Sequence, residues 1–188
     1  PGQAWDALTV FAEPLNIPVA TSINGNGSIA ETSRVSIGIV GGNVARSYTN
    51  DVVADADLVR YVGSRTDSTT THHGSVPKIT EPPAVIQIDV EPFEIGNNYK
   101  LAVPIAGDAG LTLIDLLSAI DDPGKVGARN RERIDGLVAV ADRYWEDVRQ
   151  QSLQADSPIK PQVIVAAMRE LLPDNALIVA DPGTPTPY

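Results

Sequence analysis

The feature that most constrains this chain is a repeated pairing. A short apolar run, closed by a glycine or turn cluster, alternates with a stretch of helical spacing. Ala84-Val85-Ile86-Gln87-Ile88-Asp89-Val90 is the clearest run. Ile17 to Ile23 leads into Asn24-Gly25-Asn26-Gly27, Val35 to Val40 ends at Gly41-Gly42-Asn43, and Ala56 to Val62 ends at Gly63-Ser64-Arg65. Leu101 to Ala106 is another. A strand that is apolar on both faces needs cover on both, and a parallel sheet between two helical layers supplies it. The intervening spacing fits such layers. Ala4, Trp5, Leu8, Phe11, Ala12 and Leu15 share one helical face over residues 3–15, with Pro14 closing the helix. Residues 44–54 form a second helix and 108–120 a third, capped by Asp108. The prediction is an α/β fold with a doubly wound, mainly parallel sheet over residues 16–120, and strands near 17–23, 57–62, 84–90 and 101–106. In such sheets ligands sit outside the carboxyl ends of the strands, where these glycines fall.

Elsewhere the pattern changes. Residues 66–83 are polar and contain Thr69-Thr70-Thr71-His72-His73 and Pro82-Pro83, which reads as loop. Asp121-Asp122-Pro123-Gly124 marks a boundary, and 126–150 is a polar helix with Ile134, Leu137, Val138, Ala141, Trp145 and Val148 in one stripe. Ser157-Pro158-Ile159-Lys160-Pro161 starts a helix running to Leu172; Ala176 to Ala180 reads as a buried strand. A helix and one strand cannot bury their own apolar faces. Residues 158–188 are therefore expected to open a second α/β domain as its first helix and strand. Residues 1–120, which start inside a helix, are expected to lack the first strand of their sheet.

Charge and composition narrow the function classes. Among 188 residues the formal net charge is −10, with no basic run. Such a surface repels phosphate backbones and anionic lipid, so no nucleic-acid or membrane partner is expected. Zero cysteines exclude disulfides and thiolate metal sites. No apolar run reaches the ~18 residues that span a bilayer, and the first residues carry no signal core. A cytoplasmic protein is expected. His72-His73 has no third ligand spaced for tetrahedral zinc and reads as solvated loop. Asp51, Asp55 and Asp57 read as helix-end residues; no metal ligand is assigned. Asn26-Gly27-Ser28 fits the glycosylation pattern but lacks a secretory context, and the absence of Gly-x-Ser-x-Gly leaves a hydrolase triad without support.

Several strings, in this order and spacing, carry a resemblance. They are Pro18-Val19 with Asn24-Gly25-Asn26-Gly27, "ADLVRYVGSR" ending at Arg65, Ile86-Gln87-Ile88-Asp89-Val90 with Glu94-Ile95-Gly96, and Gly107-Asp108-Ala109. Together with "SPIKPQVIVAAMRELLPDNALIVADPGTPTPY" over residues 157–188, they resemble the thiamine-diphosphate enzymes of the acetolactate synthase type. The resemblance implies a Rossmann-like central domain over 1–120, a helical linker over 121–157, and the start of the cofactor-binding C-terminal domain over 158–188. It implies a carboligase or decarboxylase acting on 2-keto acids, a homo-oligomer (dimer or tetramer), in which thiamine diphosphate with Mg2+ carries the chemistry while the protein positions and protonates.

The family's activating glutamate lies on a preceding domain and its Gly-Asp-Gly motif holds the metal; this sequence contains no Gly-Asp-Gly, so no catalytic residue is assigned. On its own the chain is expected to be inactive. The resemblance places Gly183 and Thr184 on the loop that reaches thiamine diphosphate. It places Ser22, Ile23, Asn24, Gly63, Ser64, Arg65, Asp89, Val90, Asp108 and Ala109 where some members hold FAD or another nucleotide. Here Thr66-Asp67-Ser68-Thr69 replaces the Phe-Asp-Asp-Arg typical of flavin binders, and the upstream Gly-rich loop is missing. These departures favour a vestigial, empty pocket over FAD. The alternative function is a free-standing nucleotide-binding or regulatory module without catalysis.

Overall fold

The computed structural model describes residues 4–42, 44–154 and 157–179, which gather into two compact units, Pro1–Val138 and Ala139–Tyr188. The first unit opens with helix α1, Trp5–Leu15, whose Phe11, Ala12 and Leu15 are buried. Pro14 lies inside the last turn instead of closing it. The helix is ended by Asn16, which adopts φ 50, while Ile17 N–H donates to Ala12 O at 3.1 Å. That six-residue closure is how helices end when one residue turns left-handed.

The strands are β1 Val19–Thr21, β2 Ser36–Ile39, β3 Leu58–Val62, β4 Ala84–Asp89 and β5 Val103–Ala106. Every pairing between them is parallel, as predicted. The single predicted sheet, however, is two: β1 with β2, and β3, β4, β5 in that order. No ladder joins β1 to β3 among the described residues. In the larger sheet Leu58 to Val62 run beside Ala84 to Ile88, and Ile86 to Asp89 beside Val103 to Ala106. Helix α2, Ser47–Ala54, connects the two sheets, and α3, Ala109–Ser118, follows β5.

Burial explains the periodicities. On α1, Phe11 and Leu15 pack with Leu113 of α3, supported by Val62 from β3. Its neighbour Ala12 packs with Ile29, Val35 and Ile134. A third cluster joins Tyr61, Val85 and Tyr99, with the two phenol rings stacked 5.6 Å apart. The segment 66–83 forms no helix or strand, yet it is packed: Thr66, Thr70, Thr71 and Val76 are buried. Asp67 Oδ1 organises it by accepting from Thr69 N–H (2.9 Å) and Thr70 N–H (2.8 Å).

Helix α4, Pro123–Ser152, begins where the sequence suggested a break. Pro123 and Gly124 are its first turn, and Asp122 Oδ1 accepts from Lys125 N–H at 2.9 Å. Proline suits this position because its fixed φ is already helical and its missing N–H would have had no partner. Near its start α4 meets the end of α1. Asn16 Nδ2 donates to Gly127 O (2.9 Å) and Asn130 Nδ2 to Leu15 O (2.8 Å). A Cβ on Gly127 would stand 2.1 Å from Pro14 O, so only glycine permits this approach.

In the second unit α5, Pro161–Leu171, again starts on proline. The strand predicted over 176–180 is not found: 176–179 forms no helix or strand, Leu177, Ile178 and Val179 are exposed, and Ala180 lies outside the described residues. A strand is defined by its neighbour, and among the described residues none lies beside this one. No helix of the described residues is long and apolar enough to cross a membrane.

Candidate functional site

The positions singled out from the sequence lie at the carboxyl ends of the parallel strands, because each strand hands over to its turn there. Ser22 follows β1 and caps the 3-10 turn Ile23–Gly25, its Oγ accepting from Gly25 N–H at 3.1 Å. Asn24, within that turn, is exposed. Gly63 follows β3 at φ +60, a conformation glycine adopts without strain, and its N–H donates to Ile88 O at 2.8 Å. Ser64 O accepts from Gln87 Nε2 at 3.1 Å. Arg65 is exposed, with Nε 3.4 Å from Glu94 Oε1. Asp89 ends β4 and Asp108 follows β5.

Three of these, Ser22, Gly63 and Ser64, line one cleft of about 420 Å³. Asn24, Arg65, Asp89 and Asp108 do not line it. The carboxylates are already committed. Asp89 Oδ1 accepts from Glu91 N–H at 2.9 Å and holds its own turn. Asp108 Oδ1 accepts from Leu111 N–H at 3.0 Å, the predicted cap of α3. Gly183 and Thr184 lie outside the described residues. His72 and His73 are both exposed, at φ 47 and φ 56 on a turn, with ring centroids 6.3 Å apart.

The cleft runs between β1 and β3, lined by both strands along their length, with Leu8, Phe11 and Ala12 of α1 among its lining residues. Two of its residues carry buried polar atoms with no hydrogen-bond partner, Thr21 Oγ1 and Arg60 Nε. The Arg60 guanidinium lies 4.9 Å from the centroid of the Phe11 ring, and burial lowers its pKa below the ordinary arginine value. Next to it on β3, burial and then the neighbouring Tyr99 raise the Tyr61 phenol well above its usual range. Sequence reasoning did not single out Thr21 or Arg60. The available signal was a cation at the centre of an otherwise apolar strand, Leu58-Val59-Arg60-Tyr61-Val62.

Comparison with known proteins agrees with the ladder and turn pattern. Residues 2–116 match the family described as "Thiamine pyrophosphate enzyme, central domain". The chain is 31% identical over 180 residues to the acetolactate synthase large subunit of Parasynechococcus marenigrum, covering 96% of this chain and 28% of that protein. It is 29% identical over 188 residues to the probable acetolactate synthase large subunit of Methanococcus aeolicus, covering 96% of this chain and 31% of that one. A third relative, the acetolactate synthase large subunit of Haemophilus influenzae, is 28% identical over 188 residues, covering 96% of this chain and 30% of its own. The chain thus spans under a third of the length of these relatives.

Proposed function

The chain belongs to the thiamine pyrophosphate enzyme central-domain family, and from that premise we propose that it is the central part of an acetolactate synthase-like enzyme acting on 2-keto acids, a carboligase or decarboxylase. The observation that carries this reading is collinearity: a single alignment to acetolactate synthase large subunits takes in 96% of the chain, beyond the central domain itself. In this reading residues 1–120 are the central domain, 121–157 a helical linker, and 158–188 the opening of the cofactor-binding domain. The intact enzyme is a cytoplasmic homo-oligomer.

The cofactor belongs to that intact enzyme. Thiamine diphosphate with Mg2+, when bound, would supply the carbanion-stabilising chemistry of 2-keto acid cleavage. The described residues do not fit that metal: no three His, Cys, Asp or Glu side chains gather among them, and the sequence holds no Gly-Asp-Gly. Gly183 and Thr184 are the proposed contribution of this stretch to the cofactor loop. No step of the reaction is assigned to the described residues, and the chain alone is inactive.

Ser22, Asn24, Gly63, Ser64, Arg65, Asp89 and Asp108 are the proposed remnant of a nucleotide pocket, without FAD. Asp89 is buried and bonded into its own turn, so its carboxylate does not fit a ribose contact. Only Ser22, Gly63 and Ser64 share the cleft. Two titrations test the reading. Calorimetry with thiamine diphosphate and Mg2+ should show no saturable heat, and pyruvate should release no CO2. FAD fluorescence should not be quenched saturably. Micromolar Mg2+-dependent binding, or stoichiometric FAD, would overturn the respective assignment.

A further inference from the structure

The turn after β1 holds the only two Asn-Gly steps in the sequence, in tandem: Asn24-Gly25-Asn26-Gly27. Such a step favours one intramolecular reaction. The glycine nitrogen has no side chain beside it to block its approach to the asparagine Cγ, and both groups are already held on one chain. The reaction needs that nitrogen to be free, and here the two steps differ. Gly25 N–H donates to Ser22 Oγ at 3.1 Å and to Ser22 O at 3.0 Å. Gly27 N–H donates to no group among the described residues, although the amides on either side are bonded, Asn26 N–H to Ile23 O (3.4 Å) and Ser28 N–H to Gly25 O (3.0 Å). Asn24, Asn26 and Gly27 are all exposed. A Cβ built on Gly27, at φ +86, meets nothing within 4 Å, so this peptide stands open to water. The Asp-Gly step Asp135-Gly136 is placed differently. It lies inside α4, where the helix fixes the backbone, and its carboxylate pairs with Arg34.

We propose that Asn26 is a site of spontaneous, selective deamidation, while Asn24 is protected by the hydrogen bonds on the next amide. The Gly27 nitrogen forms a bond to Asn26 Cγ. The Cγ–Nδ2 bond breaks, and ammonia leaves with the proton that Gly27 N–H gives up. A cyclic imide remains, and water opens it at either carbonyl. Opening at the former side-chain carbonyl gives aspartate. Opening at the former main-chain carbonyl gives isoaspartate, in which the chain runs through the side-chain methylene. Nothing is oxidised or reduced, and water is the sole co-reactant. Either product adds a negative charge to a chain already at −10. Isoaspartate also lengthens the backbone between Gly25 and Ser28, both of which line the cleft. The extra length falls just ahead of Ile29, which is buried with Ala12, Val35 and Ile134. The reaction therefore marks aged molecules at the rim of the cleft and loosens the turn that leads from β1 into the core.

The test incubates the chain in mildly alkaline buffer and follows Asn24 and Asn26 separately by peptide mapping, with fragmentation that distinguishes isoaspartate from aspartate. An unstructured peptide spanning Thr21 to Ala30 supplies the two rates without the fold. In the chain, Asn24 should react at least about tenfold more slowly than Asn26, because the attacking amide must first leave two partners. Asn26 should react within about tenfold of its rate in the peptide, because its attacking amide has no partner to leave. Ser22→Ala removes one partner of Gly25 N–H; it should raise the Asn24 rate severalfold and leave Asn26 unchanged. Asn26→Gln should remove the product at that position without altering Asn24. Rates at Asn24 that equal or exceed those at Asn26, an Asn26 held more than about tenfold below its peptide rate, or a Ser22→Ala chain with Asn24 unmoved would overturn the proposal. If Ser22→Ala fails to fold, the comparison of the unaltered chain with the peptide decides.

Discussion

Replacing Gly127 with alanine and, separately, Gly136 with alanine poses one question twice within a single helix. Each substitution gains about 1 kcal/mol of intrinsic helix propensity. They differ in what the added methyl meets. Around Gly136 there is nothing within 4 Å. At Gly127 the new Cβ would lie 2.1 Å from Pro14 O and 3.1 Å from Pro14 C, backbone atoms that cannot rotate aside. Ordinary contact begins at 3.4 Å, so α4 must retreat by roughly 1.3 Å. That retreat stretches the Asn16–Gly127 and Asn130–Leu15 hydrogen bonds, now 2.9 and 2.8 Å, and disturbs Ile134, which is fully buried. Two hydrogen bonds at about 1 kcal/mol each and about 1–3 kcal/mol of overpacking, less the propensity gain of about 1 kcal/mol, leave a net loss of about 2–4 kcal/mol. Urea unfolding should show that loss for Gly127→Ala, with Tm lower by roughly 5–10 °C. Gly136→Ala should be more stable by up to about 1 kcal/mol. Shifts of the same sign and size in both variants would refute the close approach of α1 and α4.

Two further outcomes follow from buried polar groups. Gln87, 1% exposed, donates to Ser64 O and Glu94 O and accepts from Gly96 N–H, so Gln87→Leu strands three backbone groups and should cost about 3 kcal/mol in urea unfolding. Burial raises the phenol pKa of Tyr61 and of Tyr99. Unfolded tyrosines ionise near ~10; the neutral pair therefore contributes fully below about pH 10, and its contribution is lost as pH rises above that toward the folded-state values. Stability followed by circular dichroism should fall above about pH 10, and Tyr61→Phe should flatten that fall.

The parts of the fold legible in the sequence are those whose causes are local. The run Ala84 to Val90 carries its own pattern, and Asp108 caps α3 from three residues away, so both were readable. The glycine turns after β1 and β3 also pointed to the right ends of the strands. What stayed hidden depends on partners distant in sequence. Gly127 reads as a weak helix residue until Pro14 is brought against it. Arg60 reads as a surface charge on a strand until Phe11 lies over its guanidinium. The segment 66–83 was recognisable as loop, yet the burial of Thr70 and Thr71 depends on Asp67 collecting their turn and on neighbours far along the chain. The segment 176–180 has strand composition, but composition does not provide the neighbouring ladder. For the candidate site, sequence found the turns but not which of them share a cleft.

The end of α1 also bears on how the chain is made. Its last carbonyl, Leu15 O, waits for Asn130, and Asn16 waits for Gly127; these contacts span 115 and 111 residues of sequence. Ribosomes add roughly 5–20 residues per second. The first helix therefore leaves the exit tunnel several seconds, up to about 20, before the residues that secure its terminus have been synthesised. For most of that interval its apolar face, Phe11 and Leu15 included, has neither α3 nor α4 to cover it. Slowed elongation ahead of residue 130 prolongs this exposure, and codon choice in that stretch becomes a determinant of soluble yield.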